Sequence, residues 1–359
     1  MSKIVDFFEI DPFSLTNSLK VDLFGNEIIN LTKFHAQNCH PYSNILKNLN
    51  YDLNNLDYRK VPYLPVSLFK QIDLMSVTGD KIAKEYASSG TSGQRLSKIF
   101  IDQDTSSLQF KALSKIFSSF ISRERNPMII LDSKKSIQNR QNLSARGAGI
   151  LGFSSFSKDI IFAFDEEMNL DFSSILDFIS KHKSQKIILF GFTYIIWLHF
   201  LKELMRTSTY LSITTGLVIH GGGWKKLSED ASVSKIDFHS LFKKFCGIEV
   251  IHDYYGMVEQ TGSIYFECTK GYFHTSIFSD ILIRDKNNLE IIDGNNEGII
   301  QVSSVLPRSY PGHVLLTEDM GVVGGIDDCK CGRLGTYFKV SGRIKNSEIR
   351  GCSDTYDFT

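Results

Sequence analysis

The sequence predicts an α/β chain, a largely parallel sheet covered by helices and followed by an antiparallel β subdomain. Three observations predict it. From about residue 125 short apolar runs alternate with longer segments of helical period, the rhythm of strand and crossover helix. Beyond Tyr272 that period fades, and apolar runs are joined by Asn-, Asp- and Gly-rich turns of the hairpin kind. The apolar content of 42% over 359 residues is enough to bury such a core.

The elements follow in order. The first 80 or so residues read as helices, Tyr42 to Leu49 and Ser67 to Leu74 among them, around a loop Val61-Pro62-Tyr63-Leu64-Pro65. Met128 to Leu131, Ile160 to Phe164, Ile187 to Phe190, Leu217 to Ile219 and Glu249 to Asp253 are strand-like, with helices at Phe172 to His182 and Tyr194 to Leu204. Ser276 to Arg284, Leu289 to Ile292, Gly298 to Val305 and Val314 to Thr317 read as hairpin strands. The resulting division is a helical lead-in at 1–85, an α/β core at 86–270, a β subdomain at 271–340 and a hinge-like tail at 341–359. In parallel sheets ligands bind beyond the carboxyl ends of strands, so the loops there are where chemistry is expected.

Forty basic residues balance forty acidic ones, so no global field favours nucleic acid or an anionic membrane; small molecules and proteins are the expected partners. Met1 to Pro12 is acidic and lacks a signal-peptide core, and no run of about 18 apolar residues occurs, so a cytoplasmic protein without a membrane span is expected. Six cysteines are too sparse for a disulfide scaffold and are expected as thiols, metal ligands or a nucleophile. The 27 phenylalanines supply core packing and apolar surface for a hydrophobic substrate.

Ser88-Ser89-Gly90-Thr91-Ser92-Gly93, closing on Lys98, is the strongest chemical statement. Its glycines bring backbone N–H groups close to an anion while hydroxyls and a lysine grip phosphate oxygens, although a plain Ser/Gly surface loop has the same composition. The spacing is not that of a Walker loop. Downstream, His220-Gly221-Gly222-Gly223-Trp224-Lys225 offers bare backbone on which a purine ring could lie, or simply a strand-to-helix turn. Tyr254-Tyr255-Gly256-Met257-Val258-Glu259 places a carboxylate where magnesium could bridge substrate phosphates. Leu316-Thr317-Glu318-Asp319 puts an acid at a strand end, suited to a ribose diol, and Ser341-Gly342-Arg343-Ile344-Lys345 adds a guanidinium.

In this order the five motifs resemble those of the adenylate-forming superfamily of acyl-CoA synthetases, luciferases and peptide-synthetase adenylation domains. Val61 to Pro65, Ser144-Ala145-Arg146-Gly147-Ala148-Gly149, His220 to Lys225 and the ending Glu348 to Thr355 are more specifically similar to the acyl-protein synthetase (LuxE-type) branch, over nearly the whole chain. The resemblance implies the fold of the adenylate-forming N-terminal domain, with the larger relatives' C-terminal domain absent or truncated. It further implies that Thr91 with its neighbours and Lys98 hold the ATP triphosphate, Gly221 to Gly223 with Tyr255 and Gly256 frame the nucleotide, Glu259 binds Mg2+, and Asp319 with Arg343 takes the ribose. The mobile-domain lysine of larger relatives has no counterpart here, which leaves Lys98 and Lys225 as candidate cations at the α-phosphate.

That branch becomes acylated on a cysteine near its C-terminus, which points to Cys352, whose thiolate Arg350 would favour; an ordinary exposed thiol is the alternative. Cys268 with His274 and Cys329 with Cys331 form two short clusters of soft ligands able to close a tetrahedral zinc site, similar to phenylacetate-CoA-ligase-like relatives, or are reduced thiols in β turns. Cys246, His220 and His252 read as structural, and Cys39 and His40 carry no signal. The expected activity is ATP-dependent conversion of a carboxylic, fatty, acid to its acyl-AMP, then acyl transfer to a protein thiol that supplies a partner acyl reductase. A phenylacetate-type ligase with coenzyme A or an acyl carrier as acceptor, and a non-catalytic nucleotide- or acyl-binding subunit, are the alternatives.

Overall fold

The structure, a computed structural model, describes residues 7–55, 57–87, 96–138, 142–223 and 233–344. Early elements are α1 (Asn17–Asn38), α2 (His40–Asn48), β1 (Leu64–Pro65), β2 (Ile82–Ala87), β3 (Lys98–Asp102) and α3 (Gln103–Phe120). A parallel series follows: β4 (Asn126–Ser133), α4 (Ala145–Ser154), β5 (Ser157–Phe164), α5 (Phe172–Lys181), β6 (Ile187–Phe192), β7 (Gly216–Gly221), α6 (Lys235–Cys246) and β8 (Val250–Tyr255). The last strands are β9 (Phe273–His274), β10 (Ser279–Arg284), β11 (Gly298–Ser304), β12 (Val314–Ile326) and β13 (Thr336–Arg343). Described residues up to 121 and from 256 onward form one compact unit, and those at 122–255 form the other. Strand β13 therefore carries the first unit's sheet into residues 341–343, which the sequence had grouped with a tail.

In the second unit the strands lie in the order β8-β7-β6-β4-β5, with each of these neighbours paired parallel. Every residue of β4 and of β6 is buried. Because successive side chains point to opposite faces, this means the sheet is covered on both sides, the parallel arrangement that the apolar runs predict. Capping sets where the helices begin: Asp171 accepts from the Ser174 N–H at 3.0 Å to open α5, and Ser144 accepts from the Gly147 N–H at 3.1 Å to open α4. The predicted helix at Tyr194 is present, but residues Ile196–Leu201 within it take the wider π form.

In the first unit β9-β13-β12-β11-β10 form an antiparallel sheet. The loop at Leu64-Pro65 becomes β1, laid parallel on β12. Predicted strand Leu289 to Ile292 is reduced to a single bridge between Ile291 and Arg284, because Leu289 sits at φ 61° and breaks extension. Ser67 to Leu74 forms a short 3-10 turn, Val66–Lys70, in place of a helix. Strand β12 is 13 residues long and runs on past Thr317, so Glu318 and Asp319 lie inside a strand and not at its end. Register shifts at Met320/Gly321 and Val323/Gly325 accommodate the glycines of this stretch. A Cβ at Gly321 would stand 2.4 Å from the Lys339 carbonyl, which is why only glycine fits that bulge. Helix α1 is pinned from below: Lys20 donates to Thr275 Oγ1 at 3.0 Å and to Asp280 Oδ1 at 3.2 Å, while the Tyr58 hydroxyl donates to Asp280 Oδ2 at 3.1 Å. No helix among the described residues is long and apolar enough to cross a membrane.

Each unit buries neutral histidine. In the first, His35 Nδ1 lies 2.7 Å from Ser76 Oγ and its ring lies 4.8 Å from that of His313; both side chains are fully enclosed. In the second, His220 is fully enclosed. Burial pushes His35 and His220 down to about 3, and His313 well below its ordinary value. The unfolded chain therefore binds more protons than the folded one between pH 6.5 and about 3, so stability is present above pH 6.5 and falls as pH drops through that window. At pH 5 each of His35 and His220 is expected to cost about 2 kcal/mol. A melting temperature that is the same at pH 7.5 and pH 5 would contradict this.

Candidate functional site

Each nucleotide-motif residue is taken within its own unit. In the second unit β7 ends on Gly221, and Gly222 and Gly223 then turn with φ 97° and 74°, conformations that favour glycine. Gly221 needs its missing side chain for a different reason. A Cβ there would stand 2.5 Å from the Tyr254 ring of neighbouring β8, so the protein's own aromatic takes that position, whereas among the described residues nothing stands within 4 Å of a Cβ at Gly223. Tyr255 closes β8 and is half-buried.

In the first unit Glu259 lies in a 3-10 turn, Val258–Gln260, and is 5% exposed. Its backbone is fixed, since the Tyr310 hydroxyl donates to the Glu259 carbonyl at 2.9 Å and Gln260 Nε2 donates to the Gly312 carbonyl at 2.9 Å. Gly256 precedes this turn with ordinary negative φ. Asp319 and Arg343 are register partners on β12 and β13, and Arg343 Nε donates to Asp319 Oδ1 at 3.0 Å. The pair is mostly buried, so the guanidinium holds the carboxylate in one orientation. Lys98 opens β3 and sits 3.4 Å from Glu85 across the β2–β3 pair, half exposed, an ion pair of little energetic weight. A buried oxygen donor such as Glu259 suits magnesium, which is commonly held by one or two carboxylates together with substrate phosphates. The candidate site residues Ser88, Ser89, Gly90, Thr91, Ser92, Gly93, Lys225 and Cys352 lie outside the described residues.

The two cysteine clusters do meet. The ligand atoms of Cys268, His274, Cys329 and Cys331 all lie within 4.8 Å of one another. Cys268 Sγ is 3.9 Å from Cys329 Sγ, and Cys331 Sγ is 3.3 Å from His274 Nε2. Tetrahedral zinc with ordinary bond lengths would set these separations at roughly 3.8 and 3.6 Å. Pairing of β9 with β13 brings His274 to the β12–β13 connection, where a turn closed by Gly332 at φ 84° carries the last two thiols. Burial, helped by Arg333, pushes His274 down to about 4 and keeps it neutral, as a ligand must be. Burial pushes Cys329 up to about 12; desolvation raises half-buried Cys331 as well, but the Arg333 backbone N–H and the adjoining thiols outweigh it and turn that thiol downward.

Two arrangements were not anticipated. Arg146, noticed only as part of a motif, makes a two-pronged pair with Asp132, Nε to Oδ2 and a terminal nitrogen to Oδ1, both 2.6 Å, with neither side chain exposed by more than 4%. Thr193, the residue after β6, contacts both His220 and Gly221. Neither has a local signature, because each joins different elements, 14 residues apart for Arg146 and Asp132 and 27 apart for Thr193 and His220.

Comparison with known proteins agrees with this architecture. Over 334 residues the chain is 24% identical to the long-chain-fatty-acid–luciferin-component ligase of Vibrio harveyi, covering 89% of this chain and 84% of that one. It is 23% identical over 330 residues to the ligase of the same name from Aliivibrio fischeri, with the same coverage. An open conformation of 2-hydroxyisobutyryl-CoA ligase, solved with 2-HIB-AMP and CoA, superposes with a TM-score of 0.71 at 12% identity, over 94% of this chain and 72% of that chain. The same ligase in its postadenylation state gives 0.70 at 12% identity, over 92% and 69%. The fold is thus that of the adenylate-forming enzymes. With residues 1–358 matching its sequence pattern, the chain belongs to the acyl-protein synthetase (LuxE) family of ligases.

Proposed function

We propose that this chain converts a long-chain fatty acid and ATP to acyl-AMP and pyrophosphate, then passes the acyl group to a protein cysteine thiol. The observation that carries this is the family match over 1–358, supported by the names of the Vibrio harveyi and Aliivibrio fischeri relatives. In this reading Ser88 to Gly93 and Lys98 hold the triphosphate, Gly221 to Gly223 with Tyr255 and Gly256 frame the adenine, and Asp319, oriented by Arg343, accepts the ribose hydroxyls. Bound at Glu259, Mg2+ would neutralise phosphate charge. Attacking carboxylate and α-phosphate repel one another, so alignment and cationic side chains, Lys98 and Lys225, do most of the work. The Cys352 thiolate then attacks the acyl carbon and AMP leaves with the bonding electron pair. A reducing cytoplasm would keep that thiol available, and a partner acyl reductase would consume the thioester.

Cys268, His274, Cys329 and Cys331 would hold a structural zinc ion, a reading supported by separations close to those of a closed tetrahedral site. It would tie the β12–β13 connection to β9 and leave the chemistry alone.

The test uses radiolabelled fatty acid, ATP and magnesium. Wild-type protein is expected to show fatty-acid-dependent ATP–pyrophosphate exchange and to accumulate hydroxylamine-sensitive label. Cys352→Ser should keep the exchange and lose the label, and Glu259→Gln should lose at least 100-fold in exchange, the scale of a lost charge-stabilising contact. Exchange that needs no fatty acid, or label that persists in Cys352→Ser, would refute the scheme; product appearing only with coenzyme A would favour an acyl-CoA ligase.

A further inference from the structure

At the end of β7 a side chain bonds the last backbone carbonyl of the strand. Thr193 Oγ1 donates to the Gly221 carbonyl at 2.9 Å, and the same oxygen is 2.9 Å from His220 Nδ1. A hydroxyl has one proton, so with that proton on the carbonyl the imidazole must be the Nδ1–H tautomer and donate to Thr193. Asp253 on β8 stands 3.7 Å from the same nitrogen, which favours a proton there. Thr193 and His220 are both fully enclosed, so water does not compete for these contacts. The placement is topological: Phe192 and Gly221 are register partners on β6 and β7, which sets the next residue, Thr193, beside the turn.

Fixing that carbonyl does more than satisfy an acceptor. A trans peptide is planar, so pinning the Gly221 oxygen also aims the Gly222 N–H in the opposite direction. Glycine has the least intrinsic preference for one backbone orientation, so at Gly221 and Gly222 the orientation depends on such contacts, with the Tyr254 ring packed against Gly221.

We propose that Thr193 is a positioning residue for ATP: its hydroxyl, oriented by His220, sets the peptide plane at Gly221-Gly222 on which the adenine is received. This rests on the reading of Gly221 to Gly223 as the adenine turn. A contact that holds the nucleotide equally in ground and transition states should appear in KM for ATP and not in kcat. Its loss corresponds to about a tenfold change, the scale of one buried hydrogen bond.

The experiment measures steady-state kinetics of ATP-dependent fatty-acid activation by full-length Thr193→Val, Thr193→Ala and Thr193→Ser, with photolabelling by 8-azido-ATP. Expected are an ATP KM raised about tenfold in the Val and Ala variants, kcat within twofold, an unchanged fatty-acid KM, and recovery in Thr193→Ser. A wild-type ATP KM in both Val and Ala, or a parallel rise in the fatty-acid KM that Thr193→Ser fails to rescue, would overturn the assignment. The label separates the two readings: in wild-type protein it should fall on the peptide containing Gly221 to Gly223. Label there with normal ATP KM in the Val and Ala variants sinks Thr193 alone, and label elsewhere sinks the adenine turn and Thr193 together.

Discussion

Replacing Cys329 by Ser, or stripping metal with a chelator, is expected to lower the melting temperature by about 10 °C while leaving the catalytic residues chemically intact. The wild-type protein should carry one equivalent of zinc and the Cys329→Ser protein far less, read by elemental analysis. The size follows from the location. Zinc-finger peptides gain about 10–16 kcal/mol from the metal because they have no core without it, whereas here the antiparallel sheet has its own apolar core. The metal would close only the β9 and β12–β13 corner, worth about 3–5 kcal/mol, which at about 2–4 °C per kcal/mol gives the stated shift. The corner has other ties, including the Leu334 N–H to the Phe13 carbonyl at 3.1 Å and Arg333 stacked 3.6 Å above the Phe120 ring. Zinc-free protein of unchanged melting temperature and full activity would show the four ligands to be ordinary reduced side chains.

Asp132→Ala is expected to destabilise the protein by about 3–5 kcal/mol, because it leaves the Arg146 guanidinium buried with its main counter-charge gone. Asp132 is also bonded by the Ser136 hydroxyl and by the Ser133 N–H, each at 2.6 Å, so the substitution removes an acceptor from several donors at once. A double variant, Asp132→Ala with Arg146→Met, should regain part of the loss by removing the stranded charge. Urea titration gives both values; a single-variant midpoint close to wild type would mean that water reaches Arg146 and the pair matters little.

Much of the parallel sheet was legible because strands buried on both faces read as near-continuous apolar runs, and β4, β6 and β7 leave that mark at Met128 to Leu131, Ile187 to Phe190 and Leu217 to Ile219. The hairpin half was less so. Extension of β12 through Gly321, Gly324 and Gly325 runs against local preference and is sustained by pairing with β13, and at Gly321 with β11 as well. Similarly, it takes β8 beside Gly221 to show why that position lacks a side chain, since the Tyr254 ring stands where a Cβ would go.

What the amino-acid order determined by itself was the alternation of elements, the motif sequence and the family, since these are properties of neighbours along the chain. Only the tertiary structure decided that Cys268 and His274 meet Cys329 and Cys331, that Asp132 takes Arg146, and that Thr193 reaches Gly221. Each of these contacts joins side chains from different elements, and its energy depends on distance and on the exclusion of water, which strand register and burial set and linear spacing does not.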